Sequence, residues 1–201
     1  MTEDEARVWI EARFPEHVVA LERMVALVLA ENEQQNLIAP STTAMVWSRH
    51  MVDSLQLIHW ANEQGTWLDV GTGGGFPGLA IAVVRCEPMI LVEPRRRRAE
   101  FLTKASELLG LSHVTVLQAK VEAVRARADI ISARAVAPVA TLVEATRHVA
   151  LPSTRWLLPR GRFEPEEQAA LAARGIMFHV EHSATEAGSR IVVIQNGSKA
   201  A

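Results

Sequence analysis

Two patterns of apolar positions divide the chain near residue 62. Over residues 1–62, apolar side chains such as Val18, Leu21 and Val25 recur at steps of three and four, which is the period of an amphipathic helix. Residues 40–43, Pro-Ser-Thr-Thr, interrupt this pattern, and their hydroxyl side chains can cap the start of a further helix. The first 62 residues are therefore predicted to form an all-helical extension.

From Thr66 onward, short apolar runs alternate with longer amphipathic segments, which indicates βαβ units and a mainly parallel sheet. Seven strands are predicted, over residues 67–70, 89–93, 114–118, 129–133, 155–158, 176–181 and 189–195. Helices are predicted near residues 77–85, 96–109, 139–149 and 165–174. The segment between the last two strands is too short for a helix, so these strands should pair antiparallel. The pattern predicts an α/β fold whose sheet ends in a C-terminal antiparallel hairpin.

Residues 67–78, Trp-Leu-Asp-Val-Gly-Thr-Gly-Gly-Gly-Phe-Pro-Gly, run from a strand through a glycine-rich turn into a helix. The glycines allow a ligand to approach the backbone, and the start of the helix offers free N–H groups. A pyrophosphate loop has glycine at the sixth position of G-x-G-x-x-G, where this chain has Phe76. The pattern suits S-adenosylmethionine, which carries no phosphate. We expect it to be bound by Asp69, Gly71, Gly73, Gly75 and Phe76.

Three later strand ends complete the predicted cofactor site. Glu93 ends the second strand 22 residues after the first loop glycine, close to the distance at which doubly wound folds place a carboxylate on the ribose. In the turn after the third strand, Val121 and Glu122 can close over the adenine, although a plain surface turn explains them equally well. Arg134 ends the fourth strand and can contact cofactor, base edge or phosphate, the alternative being a salt bridge to Asp129.

Four segments together resemble a known family. They are Asn-Leu-Ile-Ala at 36–39, Arg-His-Met-Val-Asp-Ser-Leu at 49–55, the glycine loop at 69–78 and Ser-Ala-Arg-Ala at 132–135. Over roughly residues 20 to 195 the chain resembles the bacterial 16S ribosomal RNA guanine-N7 methyltransferases, also called the glucose-inhibited division protein B family. The resemblance implies a class I (Rossmann-like) methyltransferase domain over residues 63–201. It also implies methyl transfer from S-adenosylmethionine to N7 of a guanine in the decoding-region loop of 16S RNA.

The resemblance has two departures. Many members of the family carry Asp-Ser where this chain has Glu93 and Pro94, a change that should preserve the ribose contact. Many also carry Leu-Lys-Gly late in the sheet, where this chain has Leu-Pro-Arg-Gly at residues 158–161. The second change keeps a cation, at Arg160, in a shifted place. Arg160 is therefore expected to contact the RNA substrate.

The residues after the fourth strand also bear on the reaction. Enzymes that methylate an exocyclic amine often carry Asn/Asp-Pro-Pro-aromatic there, whereas residues 132–138 read Ser-Ala-Arg-Ala-Val-Ala-Pro. Guanine N7 has an exposed lone pair and loses no proton when it is methylated. We therefore expect no catalytic acid or base, and catalysis by positioning alone.

The distribution of charge favours a nucleic-acid partner. The net charge is −2, but residues 93–162 hold 13 basic and 6 acidic side chains, an excess of 7 positive charges. Such a block is typical of a polyanion-binding surface, although a solvated helical face gives the same count. We expect Arg98 and Arg97, the latter at a position matched to a family cation, to contact the RNA backbone together with Arg134.

Histidine and cysteine give weaker signals. His50 and Asp53 stand about one helical turn apart, so the spacing favours a buried pair, while the resemblance favours an RNA contact by His50. His179 and His182 would point to opposite faces of a strand, so no metal site is expected. The single cysteine, Cys86, follows an apolar run and is predicted to lie in the core.

Composition adds the cellular context. With 49% hydrophobic and 22% charged residues, the chain is an ordinary globular protein, and no apolar stretch is long enough for a membrane span. The acidic start lacks a signal-peptide pattern, so we expect a cytoplasmic protein, favoured as a monomer, whose partner is 16S RNA or the small ribosomal subunit. Alternatives are a methyltransferase of another RNA, a protein or a small molecule, a nicotinamide-dependent oxidoreductase, and a non-catalytic ribosome-assembly factor.

Overall fold

The computed structural model describes residues 1–62 and 64–195. The helices are α1 Glu3–Arg13, α2 Val18–Asn32, α3 Asp53–Leu55, α4 Gly78–Val84, α5 Arg96–Leu108, α6 Val139–Thr146 and α7 Pro165–Ala172. The strands are β1 Trp67–Val70, β2 Met89–Val92, β3 Val114–Leu117, β4 Ala128–Ala133, β5 Ala150–Arg160, β6 Phe178–His182 and β7 Arg190–Gln195. All seven predicted strands are present. The largest difference is β5, which begins at Ala150 because an irregular register lets its first residues pair with the start of β4.

The seven strands form one sheet in the order β3-β2-β1-β4-β5-β7-β6. Strands β1 to β5 pair in parallel, whereas β7 runs antiparallel to both β5 and β6. From β1 the chain winds outward in one direction to β2 and β3, and then returns to place β4 and β5 on the other side. The strand order therefore reverses between β1 and β4, which is where ligands bind in open α/β sheets. The predicted mainly parallel sheet with an antiparallel C-terminal hairpin is confirmed.

Each face of the sheet is covered by helices. Met24 of α2 belongs to an apolar core that includes Trp67 on one face of β1. The next residue of β1, Leu68, faces the opposite core, where it joins Leu142 of α6 and Leu171 of α7. This alternation follows from the two-residue period of a strand. The N-terminal helices thus share their core with the sheet.

Cys86 lies outside both cores. It is exposed in the turn between α4 and β2, so the prediction that it is buried is wrong. The apolar run before it belongs to α4, which ends at Val84, and the chain then leaves the core to reach the start of β2. Among the described residues, no helix is both long and apolar enough to cross a membrane.

Candidate active site

A cleft of about 590 Å³ opens at the carboxyl ends of the parallel strands, over the point where the strand order reverses. The glycine loop after β1 and the turn after β4 form its floor. Residues from the segment 37–56 form one wall. The end of β5 and the connection between β6 and β7 form the other. The cleft therefore combines the predicted cofactor loop with segments from both regions of the chain.

The glycine loop places three of its predicted ligands in the cleft. Gly71 and Gly73 have φ angles of +67° and +60°, in the left-handed region that favours glycine, and both line the cleft together with Phe76. Gly75 points elsewhere, since a Cβ atom there would lie 3.1 Å from atoms of Leu79 and Met24 in the core. Gly75 therefore shapes the loop from below.

Asp69 is fully buried beneath the loop and does not line the cleft. Its Oδ1 accepts a 2.6 Å hydrogen bond from the Ser132 hydroxyl, and its Oδ2 accepts a 3.0 Å bond from the Gly78 amide. Burial raises the pKa of Asp69 to about 6. Both carboxylate oxygens fasten the start of α4 to β4, and the contact of Asp69 with the cofactor stays a prediction.

Three other predicted cofactor residues also lie outside the lining of the cleft. Glu93 is buried, and its two oxygens accept hydrogen bonds from the amides of Gly73, at 3.0 Å, and Arg95, at 2.8 Å. It therefore joins the glycine loop to the start of α5. Val121 is buried in the core of the opposite sheet face, while Glu122 is exposed. The turn that carries them packs against α6, and neither side chain lines the cleft.

Arg134 is held at the centre of the cleft by the segment opposite. Its guanidinium donates to the Arg49 carbonyl at 2.9 Å and to His50 Nδ1 at 2.7 Å, and lies 5.6 Å from the centre of the Phe76 ring. The alternative salt bridge is wrong, because Asp129 instead accepts a hydrogen bond from the Thr66 amide. The side chain is thus fixed in one orientation.

The bond from Arg134 also fixes the protonation of His50. Because Nδ1 accepts a hydrogen bond, the proton of the neutral ring lies on Nε2, which donates to the Thr42 hydroxyl at 2.9 Å. Burial, with the positive charges of Arg134 and Arg49, lowers the pKa of His50 to about 3. With both nitrogens engaged, the pairing of His50 with Asp53 that the spacing favoured is wrong.

Asp53 instead joins the wall to the β6–β7 connection. Its Oδ1 accepts hydrogen bonds from the Thr185 hydroxyl, from Gln56 Nε2 at 3.2 Å and from the Ser183 hydroxyl at 3.3 Å. Asp53 lines the cleft beside His50. Burial raises the pKa of Asp53, although the hydrogen bonds and the charges of Arg134 and Arg49 oppose this shift.

The segment that carries Arg49 and His50 is a π-helix, Trp47–Val52, where the sequence predicted an ordinary helix. Glu3 of α1 caps its start. One carboxylate oxygen accepts the Trp47 amide at 3.0 Å, and the other accepts the Ser48 amide at 2.8 Å and its hydroxyl at 2.6 Å. The free amides at the start of the helical turn are thereby satisfied. A side chain from the first helix of the chain therefore supports the wall of the cleft.

The predicted RNA-binding arginines have different environments. Arg98 lines the cleft and donates to the Asn36 carbonyl at 2.7 Å, whereas Arg97 is exposed on the rim and donates to the Gln34 carbonyl at 3.3 Å. Arg160 lines the cleft and pairs with Glu167 at 3.0 Å.

Sequence reasoning missed three cleft arginines: Arg49, Arg162 and Arg190. Arg49 stands in the His-containing motif and pairs with Glu186, and that motif was the only signal for it. Arg162 and Arg190 come from the ends of strands whose neighbours the sequence did not reveal. Within the described chain, six arginines and only two acidic residues, Asp53 and Glu167, line the cleft. Its surface is therefore strongly positive, as a polyanionic substrate requires.

The free energy of unfolding should depend on pH in opposite directions through Asp69 and through His50. Asp69 has a raised pKa, so the folded state binds its proton more tightly than the unfolded chain does. Protonation of Asp69 therefore stabilises the fold, and this stabilisation is lost as the pH rises through about 6. His50 has a lowered pKa, so the unfolded chain binds the proton more tightly, and stability is lost as the pH falls below 6.5. Between pH 7.5 and pH 5, linkage gives a loss of about 2 kcal/mol from His50 and a gain of about 1 kcal/mol from Asp69.

Two variants separate these contributions. Between pH 7.5 and pH 5, the unfolding free energy should fall in both the original protein and Asp69→Asn. The fall should be about 1 kcal/mol larger in Asp69→Asn, which lacks the opposing gain. For His50→Gln the unfolding free energy should rise over the same interval, because the stabilising protonation of Asp69 remains. Urea unfolding at the two pH values measures both changes. Equal pH dependence in all three proteins would contradict the assigned shifts.

Replacing Glu3 should weaken the start of the π-helix. Glu3→Gln keeps the shape of the side chain but turns one accepting oxygen into a donor, which leaves a backbone amide without its partner. We expect the unfolding free energy to fall by about 1–2 kcal/mol. Asp4→Asn, an exposed acid in the same turn of α1, is the matched control and should change it by less than about 0.5 kcal/mol. Equal losses in the two variants in urea unfolding would show that Glu3 is not a cap.

Comparison with solved structures agrees with this architecture. The fold is similar to a SAM-dependent methyltransferase from Aquifex aeolicus, with a TM-score of 0.60, 18% identity and coverage of 82% of this chain and 96% of that chain. It is also similar to a methyltransferase from Geobacter sulfurreducens, with a TM-score of 0.60, 13% identity and coverage of 87% and 88%. At these identities the likeness shows the fold alone. Together with the glycine loop at the switch point, the fold defines a class I S-adenosylmethionine-dependent methyltransferase.

Sequence comparison identifies the family within this class. The model of the GidB family, rRNA small subunit methyltransferase G, matches residues 18–192. A ribosomal RNA small subunit methyltransferase G from Sphingopyxis alaskensis is 45% identical over 195 residues, covering 94% of this chain and 84% of that protein. One from Novosphingobium aromaticivorans is 43% identical, covering 96% and 88%. The chain therefore belongs to the rRNA small subunit methyltransferase G family, which confirms the resemblance drawn from its motifs.

Proposed function

We propose that this protein transfers a methyl group from S-adenosylmethionine to N7 of a guanine in the decoding-region loop of 16S ribosomal RNA. The observation that carries the proposal is that the glycine loop and six arginines share one cleft. A methyl-donor site and a phosphate-binding surface thus lie side by side, in a member of a family whose relatives are named for ribosomal RNA. We further propose that the protein acts as a monomer, and that it acts in the cytoplasm, where ribosomal RNA is found.

The residues around the glycine loop fit S-adenosylmethionine. Gly71 and Gly73 line the cleft in the left-handed conformation that favours glycine, and the Phe76 ring and Arg134 border the same space. We propose that these four residues hold the cofactor, and that Glu93 supports it indirectly by fixing the amide of Gly73. When bound, the cofactor supplies an electrophilic methyl group whose transfer breaks a carbon–sulfur bond and leaves the electron pair on sulfur.

The titratable groups near the cleft fit a reaction that removes no proton. Neutral His50 has both ring nitrogens in hydrogen bonds, and the Asp69 carboxylate is sealed by Ser132 and Gly78. Neither is available as a general base. Asp53 also lines the cleft, but a reaction at N7 gives it no proton to remove. A guanine N7 lone pair needs none, so the work of the chain is to hold the base in line with the methyl group and to exclude water. We therefore propose that catalysis is by positioning.

The direct test is methyl transfer from labelled S-adenosylmethionine to 16S RNA and to small ribosomal subunits that lack N7 methylation, followed by mapping of the modified base. Label on a single guanine N7 is the expected outcome, and comparison of the two substrates shows which form of the RNA is used. Label on an exocyclic amine, or no transfer by a protein that still binds the cofactor, would overturn the proposal.

The positive cleft should also make RNA binding depend strongly on salt. If about four of its arginines contact phosphates, RNA affinity should fall about 100-fold between 50 and 200 mM salt. Arg162→Ala should lower the slope of log affinity against log salt by about one, because Arg162 is exposed in the cleft. Arg174→Ala, on α7's exposed C-terminal side, is the control and should leave the slope unchanged. Filter binding across a salt series measures the slopes. An RNA affinity that does not change with salt would show that the cleft does not bind the RNA.

A further inference from the structure

The two oxygens of the Asp53 carboxylate have different surroundings. Three donors, from Thr185, Gln56 and Ser183, all point at Oδ1. No residue in the described ranges 1–62 and 64–195 donates a hydrogen bond to Oδ2. The fold therefore uses one oxygen of Asp53 to anchor the β6–β7 connection and leaves the second oxygen unused.

The unused oxygen is accessible from the cleft. Within the described residues, every side-chain nitrogen or oxygen that is sealed from solvent has a hydrogen-bond partner, so Oδ2 is not sealed. Asp53 lines the cleft beside His50, which places this oxygen among the groups that a bound base meets. Burial raises the pKa of Asp53, and the hydrogen bond from Thr185 together with the guanidinium groups of Arg134 and Arg49 opposes this rise. A hydrogen-bond acceptor with an open oxygen thus stands among arginines, which phosphate binding alone does not require.

The chemistry of guanine supplies the matching donors. Guanine carries N7 on one edge and the N1–H and 2-amino groups on the other, so presenting N7 to the methyl donor turns these N–H groups away from it. Adenine has a lone pair at N1 and no 2-amino group, and it would set an acceptor against the carboxylate. Methylation at N7 also leaves a positive charge on the purine, which a carboxylate at the opposite edge stabilises more in the transition state than in the ground state.

We propose that Asp53 Oδ2 accepts a hydrogen bond from the N1–H and 2-amino edge of the target guanine and so selects this base for methylation. The inference rests on the proposed function and makes Asp53 a specificity-determining residue. The three donors to Oδ1 then act as positioning groups, since they fix the direction in which Oδ2 points.

The test is a double-mutant cycle in which one change is made in the protein and the other in the target base of the RNA. Three 16S RNAs carry guanosine, inosine or 2-aminopurine riboside at the mapped target position, and kcat/KM is measured for the original protein and for Asp53→Asn. Inosine lacks the 2-amino group, and 2-aminopurine lacks N1–H. On guanosine, Asp53→Asn should lose about 10- to 100-fold. On at least one analogue, the loss caused by Asp53→Asn should shrink to about threefold or less. The analogue already lacks the N–H group that Oδ2 would contact, so the substitution removes nothing further. An equal loss on all three RNAs would overturn the inference.

Controls separate this contact from loss of structure. Asp129→Asn makes the same chemical change outside the cleft and should leave all three rates unchanged. Ser183→Ala removes one donor to Oδ1. Because Ser183 acts through Asp53, this variant should lose rate on guanosine RNA and lose less on the same analogue on which the Asp53→Asn factor shrinks. If Asp53→Asn does not fold by circular dichroism, Asp53→Ser takes its place in the cycle. If the original protein binds the cofactor but does not methylate guanosine RNA, the proposed function fails; an even loss in an active protein overturns only the role of Asp53.

Discussion

Replacing Arg134 with lysine should lower the rate of methyl transfer by about 100-fold while RNA affinity changes less than about threefold. Arginine donates at the same time to the Arg49 carbonyl and to His50 Nδ1, and its Cζ lies 5.6 Å from the centre of the Phe76 ring. Lysine keeps the positive charge but lacks the planar fork, so it cannot reproduce both bonds. The charge that attracts RNA remains, whereas the geometry that positions the reacting groups is lost.

Arg134→Ala removes both the charge and the fork, so it should lower the rate at least as much and also weaken RNA binding. Arg147→Lys, an exposed arginine near Glu144 on the end of α6, is the matched control and should change neither quantity. Single-turnover methyl transfer gives the rate, and filter binding gives the affinity. If the lysine variant retains a third or more of the rate, a fixed guanidinium is not required. If both variants lose affinity but keep the rate once the RNA is saturated, Arg134 is a binding residue only.

Gly78→Ala should lower the unfolding free energy by about 3 kcal/mol. A Cβ atom at Gly78 would lie 2.5 Å from Leu91 Cδ2, 2.6 Å from Asp69 Cβ and 2.7 Å from Asp69 Oδ2. Asp69 cannot move aside, because its other oxygen is held by Ser132. The variant combines overpacking of the core, about 2 kcal/mol, with loss of the bond from the Gly78 amide, about 1 kcal/mol.

Gly188→Ala is the control for this change, since no atom lies within 4 Å of a Cβ atom at that position. Its unfolding free energy should stay within about 0.5 kcal/mol of the original value. Urea unfolding at pH 7.5 measures both variants. A loss below about 1 kcal/mol in Gly78→Ala would mean that α4 shifts without cost, and that the glycine is required only for its loop.

The strands and the glycine loop were predictable because their signals are local. Strand burial follows a two-residue period, and the run at 67–78 holds its strand, turn and helix start in consecutive residues. The direction in which a polar side chain faces is not local. Asp69 turns inward because Ser132 and Gly78 lie within its reach, and Ser132, 63 positions away, becomes its neighbour only when β1 and β4 pair.

The wall of the cleft was harder to predict for a second reason. An apolar period of three to four residues does not distinguish a π-helix from an α-helix, so the directions of Arg49 and His50 were unknown. The cap from Glu3 depends on how α1 packs against this segment, which no sequence signal specified. The resemblance to a family indicated that these residues matter, and the structure adds which groups they contact.

The span of the contacts in the wall has a consequence for the order of folding. Arg134 reaches His50 across 84 positions of the chain, and Asp53 reaches Thr185 across 132. Closing such loops costs entropy before the contact is made, and folds rich in distant contacts form slowly. The glycine loop needs only neighbouring residues and the pairing of adjacent strands. The glycine loop should therefore form first during synthesis, and the wall that carries His50 and Asp53 only after β7 has paired between β5 and β6.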